Sequence, residues 1–362
     1  MNNTFGEHVR LTLFGESHGQ YIGCVLDGIP AGMTVNEESI EKALLARRPA
    51  GRISTARREE DKYDIVSGVL NGKTNGAPLC ILIPNSDVKS TDYEDRPGIL
   101  RPGHADFTSH VRNLGFEDHR GGGHFSGRLT AAIVAAGAVV ADILEEKGIY
   151  ICSHVLSIGD VRDRGFENVS EEAARLRNDA FPVLDDGARE KMKSAILSAK
   201  EARDSVGGVV ECAVTGVPAG IGEPWFGTVE GKLSYALFSV PAVKGVEFGA
   251  GFALSKMRGS EANDAFEADD GEVATKTNNC GGVLGGLATG APIVFRAAIK
   301  PTPTVALEQA TVDLETGENV KHSFSGRHDP CIVHRAASVI NAVTALTVAD
   351  LLAARYAEEW AR

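Results

Sequence analysis

Two short runs of alternating apolar residues open the chain. Val9 to Phe14 and Tyr21 to Leu26 each read as a strand, and Gly15-Glu16-Ser17-His18-Gly19 between them reads as a tight turn that displays its polar residues. The period then changes. Thr34-Val35-Asn36-Glu37 has the form of a capping box, and Ile40, Ala43 and Leu44 recur at helical spacing until Pro49 stops the helix, so Arg47 falls in its last turn. A second helix carries Leu129, Ile133, Ala136, Val140 and Leu144, is closed by Gly148, and has Ser126 as its expected N-cap. The charge-rich middle, 142–204, holds a polar helix over about 187–204 and reads as scaffold. An apolar strand follows at Pro292 to Ile299. Beyond Arg327-His328-Asp329-Pro330-Cys331 a long C-terminal helix carries Ile340, Val343, Leu346 and Leu351.

With 362 residues, 43% of them hydrophobic, the chain is long enough to bury a substantial core. It shows neither an internal repeat nor a low-complexity linker, so it is expected to form one unit, 1–362, of mixed α and β structure. No continuous apolar stretch approaches the roughly 18 to 20 residues of a membrane span. The opening MNNTFGEHVR lacks a secretory hydrophobic region, so the expectation is a cytoplasmic protein with no membrane partner. The six cysteines are scattered without a C-x-x-C pair or a Cys/His grouping, which predicts reduced structural thiols and no metal site.

A formal charge of -12 argues against nucleic acid as a partner. Positive charge is nevertheless concentrated in islands: Arg47, Arg48, Arg52, Arg57 and Arg58, then Arg101, Arg112, Arg120 and Arg128 among several histidines. Such islands in an acidic chain suit small anions better than polymers.

Gly15-Glu16-Ser17-His18-Gly19 matches the G-x-S-x-G nucleophile elbow, which makes a serine hydrolase using Ser17 an alternative to weigh. An elbow stands between a strand and a helix, however, and here a second strand is expected after it. The other reading gives the chemistry to His18, whose type titrates near neutral pH. Two more histidines lie in Gly- or Pro-marked loops beside arginine and aspartate, in Arg101-Pro102-Gly103-His104-Ala105-Asp106 and Arg327-His328-Asp329-Pro330. Together they point to one acid–base site with anion anchors. The loop Arg120-Gly121-Gly122-Gly123-His124-Phe125-Ser126-Gly127-Arg128 feeds a helix start, an arrangement that presents backbone N–H groups to an anionic ligand. Gly281-Gly282-Val283-Leu284-Gly285-Gly286 lacks the G-x-G-x-x-G spacing and context of a Rossmann fingerprint.

In this order, these blocks resemble the chorismate synthase family over about residues 5–355. Further matches are Arg47-Arg48-Pro49, Arg57-Arg58-Glu59, Gly216-Val-Pro-Ala-Gly220, Ala242-Val-Lys-Gly-Val-Glu247 and Lys300-Pro301-Thr302. The resemblance implies an α+β fold, a β-α-β sandwich of antiparallel sheets enclosing helices, assembled as a homotetramer. It implies a lyase that converts 5-enolpyruvylshikimate 3-phosphate to chorismate and phosphate by 1,4-anti elimination, the last step of the shikimate pathway. Reduced FMN (FMNH2) is the implied cofactor, with NADPH a candidate reductant.

By the same resemblance His18 protonates the reduced flavin, His104 is a second acid, and Asp329 assists proton removal. Arg47, Arg48 and Arg327 would grip phosphate and carboxylates, and Arg47 and Arg52 match positions associated with NADPH. Flavin contacts are implied for His124, Phe125, Ser126, Ala242, Gly285, the run Lys300, Pro301, Thr302, Pro303 and Thr304, and Arg327. Three departures stand out. His124, Phe125 and Gly127 replace an arginine, a serine and an alanine; Pro241 replaces an asparagine; and Asn341 replaces a glutamate, a change expected to touch packing only. The altered loop keeps one alternative open, a flavin-binding homologue without turnover.

Overall fold

Two antiparallel sheets enclose a layer of helices. The computed structural model describes residues 2–49, 51–55, 60–86, 98–176, 179–269, 271–324 and 329–361. The expectations placed on Arg57, Arg58, Arg327 and His328 lie outside the described residues.

The first sheet has five strands in the order Thr4–Phe5, Arg10–Gly15, Tyr21–Asp27, Leu79–Pro84 and Asp64–Ser67. Leu79, Ile81 and Ile83 turn one face inward, the period-two pattern of a sheet covered on one side. The second sheet, also of five strands, runs Val243–Phe248, Ile293–Ile299, Gly208–Thr215, Tyr150–Ile158 and Val161–Arg162. There Ile293, Phe295, Ala297 and Ile299 face the core and Arg296 faces away from it.

Helix Thr130–Glu146 packs on the first sheet, helix Val333–Tyr356 packs on the second, and the two pack on each other. Their backbones come close at Gly137, where a Cβ would stand 2.4 Å from that of Ala342, so this contact requires glycine. Asp350 of the C-terminal helix accepts the backbone N–H groups of Glu7, His8 and Val9 at 2.7–3.0 Å and fixes the N-terminal turn against the core. The β-α-β sandwich implied by the family resemblance is the architecture observed.

Two local expectations are corrected. Thr34 does not cap a helix, because its backbone bridges to Lys73 and stays extended. The helix is Glu37–Arg47, and Asn36 caps it by accepting from the Glu38 N–H. Segments Gly127–Glu146 and Val333–Tyr356 are also long and apolar enough to cross a membrane by length and composition. They are that apolar because they form the middle layer, with 83% and 89% of their apolar windows buried inside the fold. Ser126 does cap, accepting from the Arg128 N–H at the turn that runs into the first of these helices.

Candidate active site

A cavity of about 830 Å3 opens beside the two core helices, bordered by the first sheet and by the segment that follows Ile293–Ile299. Its size suits a small-molecule site. One part of the wall is apolar, with Leu11, Leu13, Ile133, Val339 and Leu346; the other carries Arg47, Asp61, His104, Arg128, Asp329, Arg335 and Lys300.

Arg47 reaches the cavity from the last turn of its helix and is buried. Its guanidinium donates to Thr130 Oγ1 (3.2 Å) and the Arg128 carbonyl (3.3 Å), and lies 3.5 Å from Asp61 Oδ2. Arg128 is buried as well; it donates to the other oxygen of Asp61, to Asn85 Oδ1 and to the Pro84 carbonyl. One carboxylate thus contacts two guanidinium groups on a buried wall rich in N–H donors. That arrangement favours an incoming anion. Arg48 is half-buried, 3.9 Å from Asp61, and does not line the cavity. Neither does Arg52, whose carbonyl receives Lys200 Nζ. The two were expected to join Arg47, but Arg48 follows the helix end with its backbone extended and Arg52 sits on a separate turn.

His104 lines the cavity, and its Nδ1–H donates to Asp106 Oδ1 at 2.7 Å. Asp106 is gripped by Arg101 through Nε (2.9 Å), Nη2 (2.6 Å) and the backbone N–H (2.8 Å). Burial works to raise the Asp106 carboxyl, but the bonds from Arg101 and His104 outweigh it and hold the group well below the usual carboxylate range. Asp329 lines the same cavity, accepts the Thr55 N–H at 2.7 Å and pairs with Arg335, which also donates to the Arg47 carbonyl. His334 takes no part: burial, with Arg335 adding to it, pushes it down to about 3.

His18 departs from the expectation of one shared wall. It is buried beside Ser17, with its Nδ1 3.2 Å from Ser17 Oγ, and does not line the cavity. Gly121 stands against its ring, where a Cβ would come 2.1 Å from Cε1, while a Cβ on Gly122 would meet His104 Cε1 at 2.9 Å. The glycine turn therefore packs against both histidines. Ser17 lies between antiparallel strands and gives its hydroxyl to the Arg120 carbonyl, so the strand-to-helix geometry of a hydrolase elbow is absent.

Of the expected flavin contacts, His124, Phe125, Ser126, Ala242, Lys300, Thr302, Pro303 and Thr304 line the cavity. Pro301 and Gly285 do not; Pro301 turns toward Gly207, and Gly285 belongs to a hairpin tip where a Cβ would meet nothing within 4 Å. Lys300 Nζ donates to the Gly103 carbonyl at 2.5 Å, which ties this segment to the His104 loop. Thr302 Oγ1 is shut from solvent with no hydrogen-bond partner among the described residues. An enclosed hydroxyl and an ammonium on the wall of such a cavity fit a phosphorylated cofactor, for which they are ready donors. His124 Nδ1 donates to the Gly15 carbonyl at 2.8 Å. Asn341, expected to affect packing alone, also accepts the Ser153 hydroxyl at 2.6 Å and links the C-terminal helix to the second sheet.

Sequence reading missed Asp61, Asp106 and Arg335 as parts of the site. Asp106 had a signal, two residues beyond a loop histidine in a Gly/Pro-marked turn. Asp61 had none, being one acid in a run of charges whose partners come from 14 and 67 residues away.

The sequence profile of the chorismate synthase family matches residues 9–353. Relatives named chorismate synthase include that of Thermococcus gammatolerans, 47% identical over 354 residues and 98% of each chain. Another, from Dehalococcoides mccartyi, is 43% identical over 352 residues, 97% of this chain and 96% of the relative. A solved structure described as a crystal structure of chorismate synthase superposes with a TM-score of 0.76 at 30% identity, covering 97% of this chain and 94% of the other. With the profile spanning nearly its whole length and relatives this similar end to end, the chain belongs to the chorismate synthase family of lyases.

Proposed function

We propose that this chain converts 5-enolpyruvylshikimate 3-phosphate to chorismate and inorganic phosphate by a 1,4-anti elimination requiring reduced FMN. The observation that carries the reading is the single cavity on which Arg47, Arg128, His104, Asp329 and the Lys300–Thr304 segment meet. In the net reaction a C–H bond and a C–O bond to phosphate break and a second ring double bond forms, so no electrons are gained or lost. Bound reduced flavin supplies transient electron density to an allylic system that ordinary side chains could not activate.

The chain's own residues do the remaining work. Arg47 and Arg128, preset by Asp61, receive the negative charge that accumulates on the departing phosphate, without having to reorganise. His104 has committed its Nδ1 proton to Asp106, so its Nε2 is the atom left to hold or give a proton. Asp329, oriented by Arg335 and the Thr55 N–H, is placed to take a proton, and the apolar wall excludes water. His18, packed against the same turn, would act on a group within reach of its ring. Lys300, Thr302 and Thr304 would hold the cofactor phosphate. Exposed Trp225, Phe226 and Phe252 support the further reading that the chain assembles with copies of itself; a tetramer in the cytoplasm is what the family resemblance implies.

The test is anaerobic phosphate release from the enolpyruvyl substrate with dithionite-reduced FMN. The reading predicts turnover, slowed roughly a hundredfold or more by His104→Ala or His18→Ala. Flavin binding with no phosphate release would favour the homologue without turnover.

A further inference from the structure

We propose that Asp106 is a positioning residue for His104: it fixes the imidazole as the Nδ1–H tautomer and aims Nε2 into the cavity, and Arg101 locks Asp106 for that task. The inference rests on the reading of His104 as an acid and adds the device that makes it one. His104 Nδ1 is 2.7 Å from Asp106 Oδ1 and 3.1 Å from Arg101 Nη2; the shorter contact is to the carboxylate, which can only accept, so the proton of a neutral ring sits on Nδ1. Arg101 fills the remaining acceptor sites of Asp106 with three N–H donors, two from its guanidinium and one from its backbone.

Other neighbours fix the ring on its remaining sides. Gly122 lies against it, 3.2 Å from Nε2 at the position a Cβ would take, and the Gly103 carbonyl one residue earlier is tethered by Lys300. All three side chains of the chain Arg101–Asp106–His104 are largely shielded, with 13%, 21% and 18% of their side-chain surface exposed. In such a setting a charge-assisted bond decides tautomer and orientation together. Asp106 remains ionised throughout the neutral range because Arg101 and His104 overcome the effect of burial.

The test combines kinetics with a direct view of the ring. Asp106→Asn should lower kcat about a hundredfold with KM little changed, since a misaimed acid affects the transition state rather than substrate binding. Placed on a His104→Ala background, the same substitution should cost less than about twofold more, because its effect passes through the missing ring. Nitrogen NMR of 15N-histidine-labelled full-length protein at alkaline pH should find the His104 proton on Nδ1, with the signal assigned by its loss in His104→Ala. In Asp106→Asn it should become a mixture of tautomers. Equal further losses in both backgrounds would mean that Asp106 is merely structural. A His104 proton resting on Nε2 in the unaltered protein overturns the proposal without any variant having to fold. Should His104→Ala itself retain full activity, the role of His104 fails, whereas an inactive His104→Ala beside an unimpaired Asp106→Asn sinks the positioning role alone.

Discussion

His18 and His104 pack against adjacent glycines of one turn, the first ring against Gly121 and the second against Gly122. Both glycines have positive φ, +59° and +89°, which L side chains adopt at a cost. At Gly121 a methyl group would also fall 2.1 Å from His18 Cε1. Gly121→Ala should therefore displace His18 and lower both stability, by about 1–3 kcal/mol, and the rate of phosphate release. Gly259→Ala is the control, since that position lacks positive φ, has open space around it and lies away from the cavity. Thermal unfolding and single-turnover phosphate release on the two variants check this, and equal behaviour would refute the packing of Gly121 against His18.

Asp61 is the anion that lets Arg47 and Arg128 share a buried wall. Its own φ is +46°, a conformation asparagine tolerates, so Asp61→Asn removes the charge with little added backbone strain. The expected result is a loss of about 3–5 kcal/mol in urea unfolding, because two buried guanidinium groups lose the carboxylate they share. Inorganic phosphate should then restore part of that stability by taking the carboxylate's place, and failure of phosphate to do so would count against this wall as the anion site.

What sequence could foresee divides by the range of the interaction. The first hairpin, the two long helices and the Pro292 to Ile299 strand follow from periodicity because each element carries its own pattern. Thr34 misleads because its competing partner, Lys73, lies across a loop that no local rule contains. The loop residues His104, Asp329 and Lys300 could be picked out by type and setting. The packing of His18 against Gly121 could not, because it joins residues more than a hundred positions apart in the chain.

A row of alternating charge crosses the second sheet far from any such motif. Asp163, His154, Glu211, Arg296 and Glu247 follow one another, the last four on neighbouring strands in register. Burial works to lower the His154 pKa, but Asp163 and Glu211 overcome it and raise the group above its ordinary 6.5. A raised histidine contributes stability that is complete below about 6.5 and is lost as pH rises through the higher folded value. Glu211 and Asp163 are held low against the opposing effect of burial, so their contribution is present above the ordinary carboxylate range and is lost on acidification. Urea midpoints should thus peak in the mildly acidic range and fall on the alkaline side. His154→Gln should flatten that alkaline fall; an unchanged pH profile would show that the row carries no charge-dependent stability.

His124 occupies the place where the family pattern has an arginine, and its bond to the Gly15 carbonyl determines what it offers instead. A carbonyl only accepts, so Nδ1 bears the proton and Nε2 of the neutral ring is left as an acceptor on the cavity wall. An arginine there would be a permanent donor carrying charge. The site as built should consequently bind anionic reduced FMN less tightly than a His124→Arg variant, by about tenfold, equivalent to about 1.4 kcal/mol. Anaerobic fluorescence titration measures the difference. Because the ring also braces the turn that carries Ser17 and His18, His124→Gln, which keeps an N–H donor of similar reach, separates bracing from charge: it should hold the turn yet leave flavin affinity near that of the natural chain. Matching affinities for the arginine variant and the natural chain would mean that residue 124 does not meet the flavin at all.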